Sequence, residues 1–451
     1  MRRLAAAAVV AACFGGTAYA NGRPPLTNGV HFGPNDNHSV YVATTFGFLI
    51  SHDDGCSYKW VCEQVMGYNG TYDPKYEIAT DGTIFATTYT GLRMSRDGGC
   101  TWTTATADKP TGDPGNIATV WVDALDIGPT GAVWVGTADA AKPNDVYYSS
   151  DNGATFAARG MLSQSIWWKS IKVAPSNAMR VYVTGYQVAG ALPDGGQMPP
   201  TAHVERTDDE GAHWTDLPLA GVQYGTTPIV YVKAVDPQNP DVLFLMSQSA
   251  APPAGDKLYR SGDGGETWAE VLSSTDPIRD VVILQDGTVS VATLAGGSFN
   301  STDHGMTFSP MNAPPQLECL GQRADGTIFG CGANWQPDYK AIARTPDEQT
   351  WTESFRFVEL AGPLDCPATS PAAQMCNPMW PALQAQFGST GPTNPSCAAP
   401  APDGPSVDAA GPKKSSGSGC CSVSNLGAAG GGAAFGLALC TSAFALRRRR
   451  R

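Results

Sequence analysis

The sequence predicts an all-β fold: a seven-bladed β-propeller of four-stranded blades, followed by a disordered spacer and a C-terminal transmembrane or sorting helix. Three observations lead there. A short motif, Ser/Thr-x-Asp-x-Gly-x-x-aromatic, recurs along the chain. A turn followed by a β-rich run precedes each copy. The composition is rich in turn formers and poor in charge: 51 Gly and 35 Pro among 451 residues, with 16% charged against about 25% in a typical soluble domain. A coiled coil or long helical bundle would be rich in Glu, Lys and Leu instead.

The motif copies start at Ser51 (SHDDGCSY), Ser95 (SRDGGCTW), Ser149 (SSDNGATF), Thr207 (TDDEGAHW), Ser261 (SGDGGETW) and Ser301 (STDHGMTF). A seventh copy at Thr345 (TPDEQTW) lacks the glycine and is one residue short. Successive starts are 44, 54, 58, 54, 40 and 44 residues apart, a period that marks a repeat architecture. The turns that precede them include Asp81-Gly82, Asp286-Gly287 and Asp325-Gly326, each leading into an apolar run. Asp-Gly in such a setting signals a hairpin. Each unit therefore holds four short strands: one before the turn, one after it, one leading into the motif and one after its aromatic residue. Four-stranded units of this length are propeller blades. The first unit already has its own first strand, Gly29-Val30-His31-Phe32, and the seventh ends within residues 351–358. Ring closure then requires no exchanged strand.

The motif resembles the Asp-box, or BNR repeat, of sialidases, sortilin-type receptors and several glycan-active and assembly-factor propellers. The resemblance covers residues 29–358 and rests on the six full copies. It implies a hairpin between the third and fourth strands of each blade. The carboxylates of Asp53, Asp97, Asp151, Asp209, Asp263 and Asp303 are expected to accept backbone N–H groups within the turn. The glycine suits a position with φ > 0, and the aromatic residue packs between neighbouring sheets. These aspartates read as structural.

The ends of the chain carry different signals. Residues 1–20 read as a secretory signal: Met1-Arg2-Arg3, an Ala/Val-rich run, then Thr17-Ala18-Tyr19-Ala20 with cleavage expected after Ala20. A lipoprotein signal at Cys13 is the rival. Residues 21–360 form the propeller. Residues 361–419 are rich in Pro, Ala, Gly and Ser, and their last part, from residue 388, reads as a flexible spacer. Residues 420–451 contain Cys420-Cys421, an uncharged stretch over 423–446, and Arg447 to Arg451. This three-part layout resembles the MYXO-CTERM surface-sorting tail. The resemblance implies a sorting protease acting at the cysteine motif; a plain transmembrane anchor is the alternative. Either way the body is expected outside the cytoplasm, at the cell envelope, tied to the membrane by the tail.

The net charge is −12, and without the seven terminal arginines it becomes −19. So acidic a body makes nucleic acid a poor partner. Away from the signal and tail segments, eight cysteines remain, an even number that suggests disulfides in an exported chain. Cys319 and Cys331 flank the Asp325-Gly326 turn and suit a cross-strand bridge. Cys366 with Cys376 is a second, local expectation. With no Cys-x-x-Cys pair and only six scattered histidines, no metal site and no cofactor are expected.

Ligands of propellers usually meet the loops that enter the innermost strands. Here those loops carry Tyr68, Tyr72, Trp121, Trp167, Trp168, Tyr224 and Arg279 as ligand-binding candidates. Converging aromatics suit sugar rings or an extended peptide. The alternative is that Trp121 and one of Trp167 and Trp168 fill the core between blades. Asp123, Asp280 and Glu318 are the candidate catalytic acids, although nothing in the sequence singles out a pair. Sialidase chemistry needs three arginines on one carboxylate, and only Arg279 lies in an inner-strand loop. The leading expectation is a surface-anchored, non-catalytic binding propeller for a glycan or protein ligand. The alternatives are a polysaccharide-cleaving glycoside hydrolase and an envelope assembly factor or scaffold.

Overall fold

The computed structural model describes residues 24–392, apart from 69–71, 192–196, 249–254, 294–296, 313, 333, 335–337 and 339. The expected signal at Ala20 and the tail with Cys420 and Cys421 lie outside the described residues. Among the described residues, no helix is long and apolar enough to cross a membrane.

Seven four-stranded antiparallel sheets follow one another along the chain, and in each the spatial order equals the sequence order. They occupy residues 27–61, 76–104, 122–158, 166–216, 230–273, 278–310 and 317–355. These are blades 1 to 7, a seven-bladed propeller as the repeat count predicts. The innermost strands are Thr27–His31, Tyr76–Ile78, Val122–Ile127, Ile166–Ala174, Val230–Val235, Ile278–Ile283 and Leu317–Gln322. Blade 4 carries an extra two-stranded hairpin, Gly190–Ala191 with Gln197–Met198, between its second and third strands.

The second strand of each blade explains the apolar runs in the sequence. Strands such as Val40–Thr44, Val133–Thr137, Leu243–Ser247 and Ile328–Gly332 are buried at every residue. Each is sandwiched between neighbouring blades on both faces, so its hydrophobicity is continuous rather than alternating. The outermost strands, such as Ala157–Ala158 and Thr215–Asp216, are short and exposed, which blunts the sheet edges.

The repeated motif forms the turn between the third and fourth strands. In blade 1 the Ser51 hydroxyl donates to Asp53 Oδ1 at 2.7 Å, and the backbone N–H groups of Ser57 and Gly55 donate to Asp53 Oδ1 at 2.8 Å and to Ser51 Oγ at 2.9 Å. Blades 2 to 6 repeat this pattern around Asp97, Asp151, Asp209, Asp263 and Asp303. The glycine and the residue before it both have positive φ, as in Asp54–Gly55 (62° and 81°) and His304–Gly305 (59° and 77°). Blade 7 keeps the Thr345–Asp347 contact at 3.1 Å and one positive φ, at Glu348 (57°).

Each blade is built from its own consecutive strands, and blade 7 meets blade 1 through side chains. Thr27 Oγ1 donates to the carbonyls of Gly332 and Ala341 at 3.1 and 2.9 Å, and the rings of Tyr58 and Phe355 lie 4.5 Å apart. Beyond blade 7 the chain crosses to the outer strand of blade 1. Trp60 N–H donates to Gly362 O at 2.8 Å and Leu364 N–H to Trp60 O at 2.9 Å. Two short helices follow, Pro371–Cys376 and Trp380–Phe387. Residues 361–392, at the start of the Pro/Ala-rich region, are therefore packed chain.

The expected bridge between Cys319 and Cys331 is present. The local pairing of Cys366 with Cys376 is corrected. Cys366 is bonded to Cys100, with Cα atoms 5.5 Å apart, and Cys376 to Cys62, at 5.4 Å. The physical reason is the crossover, which lays this segment along blades 1 and 2 and brings each of its cysteines beside one of theirs.

Candidate functional site at the channel mouth

The inner strands of all seven blades contribute to one cavity of about 560 Å³ at the channel mouth. Asp123, Asp280, Glu318 and Arg279 all line it, so the fold gathers these four sequence candidates into one place. It adds residues that the sequence did not single out: His31, Lys75, Glu77, Lys172 and Lys233. Alternation along the inner strands presents every second side chain to the channel, and here those positions are charged.

The charges are paired across blades. Asp123 takes Lys169 as a direct ion-pair partner, and Lys75 Nζ lies 3.5 Å from its other oxygen. Burial pushes both lysines down to about 7, with repulsion by Lys172 acting on Lys75 and repulsion by Lys75 acting on Lys169. Lys172 is instead raised, first by Asp126, whose carboxylate is 3.2 Å away. Burial raises Glu77 to about 7 and lowers His31 to about 4. Asp280 accepts the backbone N–H groups of Val281 at 2.9 Å and Leu320 at 3.1 Å, which ties blade 6 to blade 7. Glu318 is buried to 8% side-chain exposure, with Arg279 Nε at 3.1 Å. Burial raises the Glu318 carboxyl above the ordinary carboxylate range, Arg279 draws it back, and Asp73 raises it further.

Beside the cavity runs an arc of rings. Tyr89 lies 4.6 Å from Tyr72 and 4.9 Å from Trp121. Trp121 lies 5.8 Å from Trp167, and Trp167 lies 5.7 Å from Tyr186. Lys169 sits 4.8 Å over the Trp121 ring, which joins the arc to Asp123. Tyr89 is 47% exposed. Trp121 and Trp167 are half-buried rather than core. Trp168, by contrast, is 1% exposed and packs with Trp134 and Ile171 between blades 3 and 4. Tyr68 is also buried, and Tyr76 Oη donates to its hydroxyl at 3.2 Å. Tyr72 fixes the inner end of the arc through Val122 O at 3.1 Å. Tyr224 is exposed in the loop before blade 5.

Tyr89 stands at the turn between the second and third strands of blade 2, and Tyr186 lies in the second strand of blade 4 just before the corresponding turn; neither ring is among the sequence candidates. In an antiparallel meander those turns emerge on the same face as the loops entering the inner strands. Strand count alone therefore puts them at the channel mouth.

No protein-family model matches the chain. Among curated proteins it is similar to the xyloglucanase Xgh74A of Acetivibrio thermocellus, 27% identical over 255 residues, which are 53% of this chain and 24% of that protein. It is also similar to the oligoxyloglucan-reducing end-specific xyloglucanase of Emericella nidulans, 24% identical over 294 residues, 56% of this chain and 35% of that protein. The chain thus spans about a quarter to a third of the length of these relatives. Among solved structures it is similar to a GH74 enzyme of Niastella koreensis, with TM-score 0.41 and 16% identity over 72% of this chain and 65% of that one. It is similar as well to YCF48 from Cyanidioschyzon merolae, with TM-score 0.45 and 13% identity over 68% of this chain and 92% of that one. The expectation of a non-catalytic binding propeller is corrected by the curated relatives. The curated proteins that match are named as xyloglucanases, which favours the glycoside-hydrolase alternative.

Proposed function

We propose that this protein is a glycoside hydrolase that cleaves a β-glucan of the xyloglucan class at the mouth of its propeller channel. The observation that carries the reading is the aromatic arc from Tyr89 through Trp121 and Trp167 to Tyr186, which runs beside a cavity lined by Asp123 and Glu318. Sugar rings stack on such faces. The two carboxyls belong to blades 3 and 7 of a ring of seven, so a glycan lying across the mouth has one on either side. Glycoside hydrolysis needs one protonated carboxyl to donate to the leaving oxygen and one ionised carboxylate on the opposite face of the sugar. Glu318, raised by burial, takes the role of acid. Asp123, paired with Lys169 and Lys75, takes the role of the opposing carboxylate. The names of the curated relatives support the substrate class.

The Asp-box resemblance fits the same reading, since the turns lie at the opposite end of the strands from the mouth and leave it free for substrate. Export through a signal cut after Ala20, and retention at the cell surface through the Cys420-Cys421 tail, would bring such an enzyme to polymeric substrate outside the cell. The test is reducing-sugar release from xyloglucan by the purified protein. Release is expected, and Glu318→Gln and Asp123→Asn, each folded, should lower it by roughly 10²–10⁴-fold. A folded protein that releases nothing from xyloglucan or related β-glucans would refute the reading.

A further inference from the structure

We propose that His203, Glu205 and Asp216 on blade 4 bind a divalent transition-metal cation of the zinc type. The site is a product of sheet register. His203 and Glu205 lie two apart on the strand Thr201–Thr207, so they share one face. Val204 between them is buried on the other face. Glu205 pairs directly across the ladder with Asp216 of the outer strand. On its other side His203 faces Gly185, which has no side chain to crowd the imidazole. One donor atom from each of the three residues lies within 4.8 Å of the other two. Donors around one zinc ion sit about 3–3.5 Å apart, given metal–ligand distances of about 2.0–2.2 Å. Binding would draw the three donors together by that difference.

A second observation points the same way. The Nε2 atom of His203 is buried and has no hydrogen-bond partner. An orphaned buried ring nitrogen costs free energy unless something occupies it. Glu205 and Asp216 lie directly opposite each other on one face, so a cation between the two carboxylates would offset their mutual repulsion. One imidazole and two carboxylates suit zinc or manganese, whereas calcium takes six to eight oxygens. Three protein donors leave a position for water. The cation would clamp the two-residue strand Thr215–Asp216 to its neighbour. None of this is legible as a sequence motif, because His-x-Glu followed eleven residues later by Asp converges only through the hairpin.

Zinc titration of the chelator-treated, untagged protein, by calorimetry and by metal analysis after dialysis, tests the proposal. One zinc per chain is expected, with a rise in the unfolding temperature. Asp216→Asn removes an exposed ligand from the rim, and His203→Ala removes the half-buried imidazole. Each should weaken zinc binding by at least about tenfold, since losing even an outer-shell partner costs roughly 10–100-fold. Circular dichroism establishes that the variants are folded; if His203→Ala is not, Asp216→Asn decides alone. The proposal is overturned by a folded wild-type protein that takes up no stoichiometric zinc or prefers calcium. Folded variants that keep wild-type affinity overturn it equally, since the metal would then sit elsewhere, for instance at the exposed His213–Asp209 pair.

Discussion

Two neighbours act on the Glu318 carboxyl in opposite senses, and the balance sets where a general acid stops working. Burial, with a smaller push from Asp73, holds the proton on, while Arg279 at 3.1 Å favours its loss. An acid must carry its proton to act, so the rate falls as pH rises through the pKa of Glu318. Removing the guanidinium disfavours the ionised form and raises that pKa. Arg279→Ala should therefore move the alkaline limb of the kcat/KM profile upward by about one unit. Arg279→Lys, which keeps the charge, should move it less. An alkaline limb that stays in place in both variants would show that Glu318 is not the acid. That Asp123, Asp280, Glu318 and Arg279 face the channel was legible in the sequence, because the loops that precede each unit are the loops that reach it. Lys75, Lys172 and Glu77 were not. Their meaning lies in neighbours on other blades, such as Asp126 beside Lys172. Trp167 and Trp168 show the limit most sharply. They are adjacent and chemically identical, and only strand phase sends one to the arc and the other to the core.

The repeated turn is the element most fully written in the sequence, since its serine or threonine, aspartate and glycine each meet a local need. The glycine meets a second need that no local pattern reveals. At Gly305 φ is +77°, and a Cβ would lie 2.3 Å from the Phe244 ring of the preceding blade. At Gly326, in the Asp-Gly turn of blade 7, φ is +89° but nothing lies within 4 Å. Both positions bear the left-handed backbone cost of about 1–2 kcal/mol for an added side chain. Only Gly305 adds overpacking, worth about 1–3 kcal/mol. Gly305→Ala should thus destabilise clearly more than Gly326→Ala in denaturant unfolding. Equal losses would mean that the glycine serves the turn alone and not the contact between blades. That contact is where the blade count becomes a ring, and it is why the motif recurs with a glycine even where the residue before it, such as His304, also adopts positive φ.

A propeller must join its last blade to its first, and many pairings would do so. Here the sequence repeat was sufficient to foresee seven self-contained blades, but not the fastening, which depends on residues that only ring closure brings together. Phe46 of blade 1 meets Phe357 and Phe387 at 5.0 and 4.9 Å. The two disulfides Cys62–Cys376 and Cys100–Cys366 then tie the trailing segment to blades 1 and 2 across 314 and 266 residues of chain. A cross-link that closes so long a loop removes more entropy from the unfolded chain than one that closes a hairpin. The Cys319–Cys331 bridge spans only 12 residues and staples two strands that are already paired. Replacing Cys62 and Cys376 together by serine should therefore lower stability by about 2–4 kcal/mol, and replacing Cys319 and Cys331 together should cost less. The same order should appear in the first unfolding event. Loss of the Cys62–Cys376 bridge leaves the trailing segment covalently held at Cys366 alone, so limited proteolysis should begin beyond Cys366, within residues 367–392, while the seven blades stay intact. If the hairpin pair proves the costlier loss, or if cleavage starts inside a blade, the ring is held by its side-chain contacts at Thr27 and Phe355, and the trailing segment is only a passenger on it.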